Sequence, residues 1–153
     1  MKKHLLFVLL IALITLSSNS ANRDRTNNAN SWGIKIGETV ILASWLHHDM
    51  GDLAFIEREK LNPKDTLFVQ RYLCGQSAGT SARTLTLKNH KNEVIAETVS
   101  REMAWIFEVN MPLSQILTSK YFHPGETLSV YFSIDNETQT GEETVLLGKL
   151  RID

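Results

Sequence analysis

The chain has 153 residues, 16 Lys and Arg against 17 Asp and Glu, and a single cysteine. Near-neutral charge without a basic block gives no electrostatic support for nucleic acid or an anionic membrane surface as partner. One cysteine excludes an internal disulfide, and the length fits one ordinary domain, large enough to bury a core without staples.

The first twenty residues, MKKHLLFVLLIALITLSSNS, have the layout of a secretory signal peptide. Lys2 and Lys3 form the positive start, Leu5 to Leu16 an apolar run, and Ser18 and Ser20 the small residues before a cleavage point. The apolar run falls well short of the ~20 residues a spanning helix needs, so export followed by cleavage is expected, with no stable membrane span left behind. Cleavage lowers the formal charge of the remaining chain from −1 to −3, because it removes Lys2 and Lys3 and no acidic residue, with His counted neutral. Residues 21–31 carry no large apolar side chain and read as a flexible leader. The folded domain is expected over 32–153, beginning near Trp32 or Ile34.

From there the pattern predicts strands in succession. ETVILASWL (38–46) is almost wholly apolar and suits a strand covered on both faces. LAFIERE (53–59) and DTLFVQRYLC (65–74) are separated by Asn62-Pro63-Lys64-Asp65, which has good turn chemistry. ARTLTLK (82–88) alternates, with Leu85 and Leu87 on one face, and Asn89-His90-Lys91-Asn92 turns the chain into EVIAETV (93–99). AWIFEV (104–109) is the next strand.

In NMPLSQILTSKYF, residues Leu113, Ile116 and Leu117 recur at helical spacing, with Asn110 placed to cap and Pro112 early. A short crossover helix is expected there. TLSVYFSID (127–135) has the clearest alternation: Leu128, Val130, Phe132 and Ile134 inward, Ser129, Tyr131, Ser133 and Asp135 outward. TVLLGKLRI (144–152) closes the chain. About eight strands with one short helix predict an all-β fold, an antiparallel two-sheet sandwich of immunoglobulin-like or C2-like layout.

Gly75-Gln76-Ser77-Ala78-Gly79 matches the G-x-S-x-G of serine hydrolases. That motif works on a sharp strand-to-helix turn over a parallel sheet, with acid and His supplied later in the chain. Here a further strand follows instead of a helix, so the stretch reads as an inter-strand loop. The same stretch lacks the Gly-Lys-Ser/Thr ending of a P-loop. Cys74 has no local signature of a catalytic thiol and reads as a buried structural residue, with an intermolecular bridge as the alternative. No enzymatic activity and no cofactor are expected.

Two clusters remain as sites. His47, His48, Asp49 and Asp52 are good ligand types for zinc or a similar divalent ion, against the alternative of a strand end running into an Asp-Gly type turn. Tyr131, flanked by Ser129 and Ser133 and joined by Tyr72, could form a ligand-binding face on which a glycan stacks. Trp45 and Trp105 read as core residues. His90 and His123 read as isolated turn residues, and Asn136-Glu137-Thr138 fits a glycosylation acceptor in a loop.

The expected function is an exported, periplasmic or secreted, non-catalytic binding or assembly module acting through end loops or a sheet edge. Its partner would be another exported protein or a second copy of itself. A metal-binding protein or metal-dependent enzyme built on His47 to Asp52, and a carbohydrate-binding module, are the alternatives.

Overall fold

Period-two alternation sets the inner face of each layer in the computed structural model, which describes residues 30–73, 81–101, 107–135 and 142–153. Nine strands run in order: β1 (Asn30–Ile36), β2 (Thr39–Ala43), β3 (Leu53–Ile56), β4 (Thr66–Leu73), β5 (Arg83–Lys88), β6 (Val94–Ser100), β7 (Phe107–Pro112), β8 (Thr127–Asp135) and β9 (Glu142–Ile152). One helical turn, α1 (Leu113–Leu117), joins β7 to the segment before β8. The strands form a four-stranded sheet in the order β2-β1-β4-β7 and a five-stranded sheet in the order β3-β9-β8-β5-β6. The molecule is an all-β two-sheet sandwich with little helix.

The core is the sum of the inward registers. Trp32, Ile34 and Ile36 of β1 and Leu67 and Val69 of β4 meet Leu85 and Leu87 of β5 and Leu128, Val130, Phe132 and Ile134 of β8. Each such side chain, once fully buried, contributes about 1.5–3 kcal/mol of transfer free energy. Two arginines share these inward registers. Arg71 follows Leu67 and Val69, Arg83 precedes Leu85 and Leu87, and both are buried. The alternation that marked the leucines marked these cations too, since residues two apart on a strand share a face.

Several expectations need correction. Nine strands replace the expected eight, the additional one being β1. Gly33 and Lys35 dilute its apolar character, although Trp32, Ile34 and Ile36 alternate properly. The sandwich is not wholly antiparallel, since β3 runs parallel to β9 with Leu53 opposite Lys149 and Phe55 opposite Arg151. The 38–46 strand stops at Ala43, and Ser44–Leu46 forms a 3-10 turn. Arg58–Lys60 forms a second 3-10 turn in place of the end of the predicted 53–59 strand.

The α1 helix lies where helical spacing placed it, with Leu113 and Ile116 buried. Its capping differs. Pro112 occupies the N-cap without a side-chain hydrogen bond, and the Leu113 N–H donates to the Asp65 carbonyl at 2.9 Å. Asn110 belongs to β7, opposite Phe68. The 1–29 segment, Cys74, the G-x-S-x-G stretch, Trp105 and the Asn136 loop lie outside the described residues.

Candidate binding surface at the β2–β3 connection and the β3 strand

The segment from Ser44 to Ile56 is held by short-range bonds in its first half and by β9 in its second. The Ala43 N–H donates to Nδ1 of His48 at 3.1 Å, and the His48 N–H donates back to the Ala43 carbonyl at 3.3 Å. His47 takes the left-handed conformation (φ 63°) that reverses the chain after the 3-10 turn. Further on, Oδ2 of Asp52 accepts the Asp49 N–H at 2.9 Å, and the Asp52 N–H donates to the Asp49 carbonyl at 3.2 Å. Gly51 has φ 91°, a region that favours glycine, and its N–H donates to the Leu147 carbonyl.

These bonds assign backbone duties to two of the four residues read as metal ligands. His48 accepts through Nδ1 and Asp52 through one carboxylate oxygen, while His47 and Asp49 are exposed. Among the described residues no group of three or more His, Cys, Asp and Glu side chains is placed to hold a metal ion.

The tyrosines are parted by the sandwich. Tyr72 lies on the outer face of the four-stranded sheet, opposite Ser31, because Leu67, Val69 and Arg71 take the inward register of β4. Tyr131 lies on the outer face of the other sheet, half-buried between Thr86 and Leu146, with Lys88 Nζ 5.4 Å from its ring centroid. Ser129 is half-buried as well, and Ser133 is buried at 6% exposure although its register faces outward. Thus Tyr72 does not join the Tyr131 face. Sequence distance carries no information about which sheet a strand enters.

The exposed apolar residues concentrate elsewhere. Nine large hydrophobic side chains are exposed among the described residues, and five of them fall between positions 45 and 55: Trp45, Leu46, Met50, Leu53 and Phe55. Phe55 is 69% exposed. Trp45, expected in the core, is 44% exposed and rests over Gly33 of β1. The reason is local: after Ala43 the chain leaves the sheet as a 3-10 turn, so Trp45 has no inward register to occupy. Leu53 and Phe55 share the outward register of β3 with Lys149 and Arg151 of β9, and the Arg151 guanidinium lies 6.0 Å from the Phe55 ring centroid.

At the far end of the sandwich, His90 is not isolated. Its Nδ1 pairs with Oε1 of Glu126, joining the β5–β6 hairpin to the turn before β8 across 36 positions of sequence. The other carboxylate oxygen of Glu126 is buried and accepts no hydrogen bond among the described residues.

No helix among the described residues is long and apolar enough to cross a membrane. No protein-family model matches the chain, and no curated protein matches it.

Proposed function

We propose that the chain is an exported, non-catalytic binding module whose contact surface is centred on Leu53 and Phe55 of the apolar segment 45–55. The observation that carries this reading is that Leu53 and Phe55 stand exposed side by side on the outer face of β3, in a stretch of eleven residues holding five of the nine large hydrophobics exposed among the described residues. Apolar side chains scattered singly over a surface are ordinary, whereas a contiguous group rimmed by charge marks an interaction site. Here the rim is supplied by Lys149 and Arg151 on β9 and by Asp49 and Glu57 beside the segment. Phe55 is an aromatic anchor of the kind that dominates protein interfaces, held in β3 by its pairing with β9, whereas Trp45 lies over Gly33 on the outer face of the other sheet.

The test is crosslinking in the native envelope or medium, followed by mass spectrometry that maps linked residues. A stoichiometric protein linked through Lys60 or Lys149, near this surface, is expected. Its yield should fall at least about tenfold with Phe55→Glu, the change expected on losing a central anchor. Recovery of the chain with no linked protein, or links unaffected by Phe55→Glu, would remove the reading.

A further inference from the structure

The β3 strand ends the five-stranded sheet, and its hydrogen bonds to β9 define which of its backbone groups remain open. Lys149 N–H donates to the Asp52 carbonyl at 2.7 Å and Asp153 N–H donates to the Ile56 carbonyl at 3.0 Å. In a parallel ladder one strand presents alternate residues to its neighbour. Asp52, Ala54 and Ile56 therefore face β9, and the N–H and C=O groups of Leu53 and Phe55 face away from it. Neither residue takes part in any other backbone hydrogen bond among the described residues.

The other three sheet edges carry guards of the sort that block strand addition. On the four-stranded sheet, β2 meets β1 through a register shift at Ile34/Lys35, and β7 ends in Pro112. On the five-stranded sheet, β6 meets β5 through a shift at Leu87/Lys88. Leu53-Ala54-Phe55-Ile56 has no proline, no charge and no shift against β9, and only its brevity protects it. An open row of backbone donors and acceptors is matched by an extended polypeptide, whose own N–H and C=O groups repeat at the same spacing.

Resting on the reading of 45–55 as a contact surface, we infer that β3 pairs antiparallel with β3 of a second copy of this chain. The two-fold axis passes at Ala54. Leu53 of each protomer then faces Phe55 of the other, and each such pair exchanges two N–H to C=O bonds, using all the open groups of both residues. Leu53 and Phe55 lie on one face, so their exposed side chains become cross-strand neighbours. The pairing is isologous and closes at a dimer, because it uses the unguarded edge of both copies. A head-to-tail contact would instead leave one such edge open.

The experiment is sedimentation equilibrium on the purified mature chain over a concentration series reaching about 1 mM, the weak end of specific association. A reversible monomer–dimer equilibrium is expected. Leu53→Pro removes one open N–H without touching the bonds to β9, and Phe55→Lys charges the edge. Each should weaken the dimer at least about tenfold while circular dichroism stays unchanged. Val99→Lys, on exposed β6, should leave it unaltered. If Leu53→Pro does not fold, Phe55→Lys together with concentration-dependent protection of the Leu53 and Phe55 amides from hydrogen exchange decides the matter. A monomer at every concentration, or a dimer indifferent to the edge variants, overturns the inference. A monomer that is still crosslinked to another protein through 45–55 overturns the dimer and leaves the proposed function standing.

Discussion

Gly33 and Trp45 are matched in space: a Cβ built on Gly33 would stand 2.3 Å from Cη2 of the Trp45 indole, closer than real contacts allow. Gly33 sits in the outward register of β1, opposite Ala43 on one side and Gln70 on the other. The missing side chain is the seat of the ring. Gly33→Ala should displace the half-exposed indole and lower stability by about 1–3 kcal/mol, the usual cost of overpacking. Trp emission should shift to the red. Unchanged emission would mean that the ring is not seated on Gly33.

Gly148 makes the corresponding approach inside the sandwich. A Cβ there would lie 2.7 Å from Cδ1 of Leu42 and 3.2 Å from Cδ1 of Ile34, both buried. Unlike Trp45, these side chains have no solvent to move into. Gly148→Ala should therefore cost at least as much as Gly33→Ala, within the same range of about 1–3 kcal/mol, without the fluorescence change. Denaturant titration of the two variants checks the order.

Asn89 is buried at 4% exposure and organises the β5–β6 hairpin. Its Oδ1 accepts the N–H groups of Lys91 and Glu93, and its Nδ2 donates to the Glu93 carboxylate at 2.8 Å. Asn89→Ala removes the acceptor for two N–H groups and should cost about 1–3 kcal/mol. Asn89→Asp keeps the acceptor but sets a second carboxylate against Glu93, and should recover only part of the loss. Thermal unfolding of the pair separates the two contributions.

His48 has a backbone duty that a metal would have to displace, since its Nδ1 accepts the Ala43 N–H. His48→Ala leaves the N–H of buried Ala43 without that acceptor and should lower stability by about 1–3 kcal/mol. The loss should be the same with chelator and with added zinc. A loss seen only with zinc present would return His47 to Asp52 to the list of metal ligands.

Much of the sandwich was legible in the residues. The 127–135 strand has the bounds that alternation predicted, and Leu85 and Leu87 take the inward face assigned to them. The helical spacing of Leu113 and Ile116 marked α1. Arg71 and Arg83 could have been read from the same alternation, because each lies two residues from a buried hydrophobic on its strand. The exposed apolar surface at Leu53 and Phe55 was harder to see. Leu53 and Phe55 have the composition of core residues, and nothing local reveals that their strand ends a sheet with its outward face uncovered.

Local chemistry determined the period of each strand, the hairpin at Asn89 and the helical turn at Leu113, since these depend on residues within a few positions of one another. Tertiary pairing decided the rest: that β3 lies parallel to β9, that Tyr72 and Tyr131 occupy opposite outer faces, and that His90 reaches Glu126. A strand's inner face is written in its own alternation, but its neighbours are chosen by pairing across long stretches of chain. Which edge remains open is a property of the completed sheet.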